Sequence, residues 1–284
     1  MTFLKINTFC PILLLLLGTA ALGCSDPAAS RTPQSCLEAT AEPGCVLADG
    51  ERVTLRTADD LNETCQALCP RAYSLTFSLD TTEQLQGFAD LTHIDASLRF
   101  SGNPELQRVE ALAGVQEVGS IEVLNNPNLT NLPSFANLTR LDGLRIERTP
   151  NLETLRAFAN LREVGFPDDP RAAERGVFLR DLQRLSDLEG LNALERAGTL
   201  HLTHNPNLTS LDGLNNLQAL GGLHLHANPS LTTLSGLDAL QRLDRLAISG
   251  SPELRRCEVD ALLASLETPP RTIELNDLSD APCT

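Results

Sequence analysis

The chain has 284 residues, a net charge of −15 and an aromatic content of only 4%. That acidity argues against tracking nucleic-acid phosphates and against adhering to an anionic bilayer by charge alone. With no tryptophan and Tyr73 as the single tyrosine, the core has to be aliphatic. The chain opens with Met1–Leu22, which carries Lys5 and then five consecutive leucines, Leu13–Leu17. This apolar run is shorter than the about 20 residues a bilayer span needs, and it predicts a secretory leader.

The leader ends in Ala20-Ala21-Leu22-Gly23-Cys24, which resembles the lipobox of bacterial lipoproteins. The resemblance implies cleavage after residue 23 and lipidation of Cys24, although the family's usual leucine three places before the cysteine is missing. The alternative is ordinary cleavage with Cys24 a plain thiol. Ser25 after the cysteine leans, by the same resemblance, toward the outer membrane of a Gram-negative cell. Residues 24–35 lack apolar periodicity and read as a tether.

Once Cys10 leaves with the leader and Cys24 is lipidated, Cys36, Cys45, Cys65, Cys69, Cys257 and Cys283 remain. An even set in an exported chain predicts disulfides. They fall at the two ends of the repeat array described next, where open solenoid ends need caps. Cys257–Cys283 is the natural C-terminal pair. A Cys65–Cys69 bond, four residues apart on a predicted helix, suits disulfide geometry poorly, and the other pairings of the N-terminal four stay open. Zinc at Cys65 and Cys69 is the rival reading, but a single C-x₃-C lacks a second pair.

From Leu75 onward a strand signature recurs, with two apolar residues flanking an outward one: Leu75/Phe77, Leu98/Phe100, Ile121/Val123, Leu144/Ile146, Val177/Leu179, Leu200/Leu202, Leu223/Leu225 and Leu246/Ile248. Val53/Leu55 is an earlier member. The period is 23, except for 33 between Leu144 and Val177, where Phe166–Arg175 is inserted. A fixed period of this length predicts a mainly β repeat solenoid, a stack of about nine coils with disulfide-linked end caps.

Each strand is followed by a turn: Asn103-Pro104, Asn126-Pro127, Thr149-Pro150, Asn205-Pro206, Asn228-Pro229 and Ser251-Pro252. Proline fixes φ, and a stacked ladder of Asn side chains is expected to serve the turn backbone. Leu182 interrupts that slot, so its coil is expected to be the least regular. Leucines at steps of three then predict short turns, 3₁₀ segments or a single helical turn on the back of each coil. The Asn-x-Thr triplets at Asn62, Asn128, Asn137 and Asn207 match glycosylation acceptors but are read as by-products of the N-P-N-L-T turn pattern. Glu258–Glu267 has helical spacing and Thr272–Leu275 reads as a closing strand. The organisation is thus leader 1–23, tether 24–35, Cys-rich cap with the first coil 36–74, repeats 75–256 with the insert at 166–175, and C-terminal cap 257–284.

The pattern L-x-L-x-x-N-P-x-L-x-x-L resembles the leucine-rich repeat and, in its N-P-x-L turn, the receptor L domain, over about Val53–Cys283. That resemblance implies a right-handed parallel β-helix and an extracytoplasmic recognition surface. The linker, membrane helix and kinase of the receptors are absent from this sequence.

The register predicts two outward columns. One runs Thr76, Arg99, Glu122, Arg145, Phe178, His201, His224, Ala247; the other runs Ser78, Ser101, Leu124, Glu147, Arg180, Thr203, His226, Ser249. Arg99, Glu122, Arg145, Glu147, Phe178 and Arg180, with Phe166, Asp168, Asp169 and Arg171 of the insert, are the candidate binding surface. The bland reading is a soluble sheet face of weak charge pairs. His201, His224 and His226 are a candidate facial zinc or copper set, without an obvious carboxylate to orient them. No nucleophile elbow, phosphate loop, H-E-x-x-H or dinucleotide fingerprint occurs, so a non-enzymatic chain without cofactor is expected. The expected partner is a protein or glycan, bound by a monomer held to the membrane through its lipid. A structural envelope spacer and a His-cluster metal-binding protein are the alternatives.

Overall fold

The computed structural model describes residues 46–55, 71–78, 91–109, 112–165 and 175–282. Ten strands follow one another in a single parallel path: β1 (Val46–Leu55), β2 (Arg71–Phe77), β3 (His93–Ser101), β4 (Glu117–Leu124), β6 (Gly143–Glu147), β8 (Val177–Arg180), β9 (Arg196–Thr203), β10 (Ala219–His226), β12 (Arg245–Ser249) and β13 (Thr272–Leu275). Leu98 lies beside Ile121, Leu200 beside Leu223, and Leu223 beside Leu246, which is the 23-residue register. Leu144 pairs with Val177, so the 33-residue coil keeps its place in the sheet. The protein is a parallel β-solenoid.

Three two-residue strands complete it: β5 (Arg140–Leu141), β7 (Glu163–Val164) and β11 (Arg242–Leu243). They join the first residues of β9 and β10 in a second parallel column before the main strands. Two residues are too few for an alternation to register, and the sequence reading did not separate this column. It carries its own ion pair, with Arg140 Nε 2.9 Å from Glu163.

The step of three has a simple cause. Leu214 N–H donates to Leu211 C=O and Leu217 N–H to Leu214 C=O, at 3.2 and 2.8 Å. Leu237 and Leu240 repeat this one coil on. Each i→i+3 bond returns the next leucine to the interior, where Leu208, Leu211, Leu214, Leu217 and Leu220 are fully buried. Burying a leucine contributes roughly 1.5–3 kcal/mol, so the stacked coils share an aliphatic core. Among the described residues, Arg156–Phe158 closes into a 3₁₀ helix, placing Phe158 against Phe135.

The Asn ladder is present and buried. Asn205 Nδ2 donates to Leu179 C=O at 3.1 Å, and its Oδ1 accepts from Leu182 N–H at 3.1 Å. Asn228 does the same for Leu202 C=O and Asn205 N–H, and Asn126 for Phe100 C=O and Asn103 N–H. Leu182 does not disturb its coil, contrary to the sequence expectation. Its side chain is fully buried, its N–H is served by Asn205, and the strand pairing passes through in register. A second, exposed set of asparagines clamps the turns: Asn128, Asn151 and Asn207 donate to carbonyls 24 residues earlier. Asn128 and Asn207 of the Asn-x-Thr triplets therefore have a structural use.

The residue before each ladder position is left-handed: Gly102, Asn125, Arg148, Asp181, His204, Ala227 and Gly250, with φ between 50° and 70°. Its N–H crosses to the next coil, as from Ala227 to Ser249 C=O at 2.9 Å. For an L-residue this conformation costs roughly 1–2 kcal/mol. Ala227 has no polar side chain to offset it. Ala227→Gly is expected to raise the denaturation midpoint by the equivalent of about 0.5–1 kcal/mol, after the entropy glycine adds to the unfolded chain. A lower midpoint would contradict this.

At the C-terminal end α1 (Arg256–Ser265) begins two residues earlier and ends two earlier than the spacing predicted, buries Val259 and Leu262, and stops where Leu266 turns extended. β13 then pairs in parallel with β12 as the closing strand. Cys257 is disulfide-bonded, and Cys24, Cys36, Cys45, Cys65, Cys69 and Cys283 lie outside the described residues.

Candidate functional site

The first outward column is assembled as the register required. Thr76, Arg99, Glu122, Arg145, Phe178, His201, His224 and Ala247 are successive neighbours, and Glu274 extends the row. Arg99 reaches Glu122 at 3.3 Å. Arg145 lies over the Phe178 ring at 4.9 Å, a cation–π contact worth about 0.5–1 kcal/mol at an exposed site. Phe178 stacks on His201 at 4.8 Å with 11° between ring planes, and His201 stacks on His224 at 4.2 Å with 2°. A guanidinium and three rings thus form one continuous, half-exposed stack across four coils. The 23-residue register accounts for the adjacency but not for the ring orientations.

Gly222 explains the pose of His224. A Cβ there would come 3.0 Å from His224 Nε2 and 3.2 Å from Thr199 Oγ1, so the bare glycine lets the imidazole lean back along its strand. Burial in the stack, then the neighbouring His224 and Arg145, lower the pKa of His201 from 6.5 to about 4. Burial and Arg245 lower that of His224, with Glu274 opposing. Both shifts favour the neutral imidazoles, and neutral rings stack face to face without charge repulsion.

The second column departs from expectation in two places. Leu124 is only 8% exposed although it points outward. Glu147 lies beside Arg180 in the register but binds Arg145 at 3.3 Å on its own strand and approaches Arg148 at 3.9 Å, while Arg180 turns to Asp181. Glu147 thereby anchors the cation that caps the ring stack.

His226 does not join His201 and His224. Its Nδ1 is 2.7 Å from Ser249 Oγ, and its ring meets His204 edge-on at 5.3 Å. Parallel rings 4.2 Å apart aim their nitrogen lone pairs side by side in separate planes, whereas a metal at about 2.0–2.1 Å needs them to converge. Among the described residues no group of three or more His, Cys, Asp or Glu is placed to hold a metal ion.

Of the insert, Phe166, Asp168, Asp169 and Arg171 lie outside the described residues, and its two ends can be placed. A Cβ on Gly165 would come 2.8 Å from Arg175 C=O, so the segment leaves and rejoins the coil at one point. Arg175 reaches back to Asp142 at 3.8 Å. Beside this junction is an open recess of about 510 Å³ lined by Arg99, Glu122, Asp142, Arg145, Arg175 and Phe178. The insert therefore springs from the edge of the same column that carries the stack.

Behind the sheet, ion pairs bridge the 33-residue coil at the same offset: Arg156 with Glu189 at 3.1 Å, and Arg162 with Glu195. The 33-residue offset seen in the strands is the sequence signal for these pairs as well. Among the described residues no helix is long and apolar enough to cross a membrane. No family model matches the chain, and no curated protein matches it.

Proposed function

We propose that this solenoid is a non-enzymatic recognition module that binds a protein or glycan through its sheet face and the Phe166–Arg175 insert. The observation that carries this reading is the unbroken outward row from Arg99–Glu122 through the Arg145–Phe178–His201–His224 stack, beside the junction of the insert. Rings held in register on a rigid sheet are pre-organised, and side chains already ordered lose little entropy when a partner arrives. Arginine and aromatic groups are also the types that carry interface energy. The open face favours binding over chemistry that needs a closed cleft.

The same proposal includes lipid attachment at Cys24 in a Gram-negative envelope, a Cys257–Cys283 bond closing the C-terminal cap, and kinship with receptor L domains through the N-P-x-L turn. Capture from envelope extract with the full chain tests the binding reading. Wild type is expected to retain a defined partner set that Phe178→Ala and deletion of residues 166–175 each deplete about tenfold or more, as loss of a hot spot of about 2 kcal/mol or more would do. Equal sets from all three would contradict the site, and no partner from any of them would favour a structural spacer.

A further inference from the structure

Along the first outward column, every rung from Arg99 to His224 bears a long or ring-shaped side chain, and then comes Ala247. Glu274 is the rung after it. Rungs two apart are separated by about 10 Å, so a slot one ring thick stands over Ala247. One wall is the face of His224 that His201 does not cover, and the opposite wall is the exposed Glu274. Arg245, two residues before Ala247 on the same side of the strand, flanks one end. Ser249, held to His226, flanks the other. Arg245 and Glu274 form no ion pair among the described residues, so two opposite charges stand unpaired around an empty rung.

The geometry points to this slot as a binding site for one ring of a neutral saccharide. The inference rests on the recognition reading above and names its ligand class at one place on the column. Apolar contact is limited to the His224 face and the Ala247 methyl, which suits the single C–H face of a sugar ring. The surrounding groups supply what its hydroxyls need: Glu274 accepts, Arg245 donates, and Ser249 can do either. An aromatic side chain would gain little apolar burial here and would set its electron-rich face toward a carboxylate. A planar cation would meet Arg245, and an anion would meet Glu274. A neutral, polyhydroxylated ring uses every group without bringing a like charge to either.

The five histidines make the test direct, since the ring C–H resonance of His224 can be followed alone in the full chain. Maltose, cellobiose and N,N′-diacetylchitobiose serve as probes, with indole and guanidinium as controls. At least one disaccharide is expected to shift His224 saturably in the millimolar range, about 4 kcal/mol of binding. Glu274→Gln and Arg245→Ala are each expected to weaken it about tenfold, the effect of losing a hydrogen bond to a charged group. Ala247→Phe, which fills the slot, is expected to abolish it while the unfolding midpoint stays unchanged. No saturable shift with any disaccharide, an equal response to indole or guanidinium, or tighter binding in Arg245→Ala would each overturn the inference. The last would identify Arg245 as the intramolecular cap of the stack. If no disaccharide shifts His224 while the wild-type chain still captures the partner set that Phe178→Ala loses, the saccharide site falls and the recognition surface stands.

Discussion

Gly213→Ala is expected to destabilise the repeats strongly. Gly213 has φ +108°, and a Cβ there would lie 2.1 Å from Leu188 C=O oxygen and 2.2 Å from its carbon. Those are backbone atoms of the preceding coil, and they cannot swing aside as a side-chain tip could. The positive φ costs about 1–2 kcal/mol, and forcing the coils apart costs about 1–3 more. Gly190 and Gly236 meet the same obstacle one coil to either side, which makes the position a requirement of the stack. Stability in such arrays comes from neighbour contacts, so loosening a middle coil weakens both halves. Circular dichroism during urea unfolding should show the midpoint fall by the equivalent of about 3 kcal/mol. A change under about 1 kcal/mol would mean the coils are not packed at this distance.

Asn205→Ala is expected to cost about 2–6 kcal/mol. It strands two buried groups, Leu179 C=O and Leu182 N–H, each unsatisfied at roughly 1–3 kcal/mol. The next coil cannot compensate, because Asn228 already serves Leu202 C=O and Asn205 N–H. Asn207→Ala is the control two residues away. Asn207 is exposed and makes one turn clamp to Gln183 C=O at 2.6 Å, so about 1 kcal/mol or less is expected. Equal losses in the two variants would contradict a buried ladder.

Much of this was legible because a solenoid converts sequence offset into spatial adjacency. Asn205 and Asn228 could be read as neighbours, and so could Phe178, His201 and His224. The parts that escaped depend on torsions and on elements too short to show a period. Nothing in a 23-residue offset says that His224 would lie flat on His201; the space left by Gly222 decides that. Glu147 chose Arg145 on its own strand over Arg180 across the ladder, a preference of side-chain reach that register does not encode. Leu182 looked like a fault, yet its slot needs an acceptor for the Leu182 N–H more than a polar side chain of its own, and Asn205 supplies that acceptor.

The central claim is that the coils hold Phe178, His201 and His224 in one stacked column, and His201 reports on it. A histidine whose folded pKa lies below its unfolded 6.5 binds fewer protons folded than unfolded between those two values. Its contribution to stability is therefore present at neutral pH and is lost as pH falls from about 6.5 toward the folded value. Titrating the five histidine ring resonances of the full chain measures this residue by residue, with His201→Gln giving the assignment. The account predicts a midpoint for His201 at about 4, with His224 also lowered. A His201 midpoint near 6.5, unmoved by Phe178→Ala, would contradict the stacked column and the recognition surface built on it.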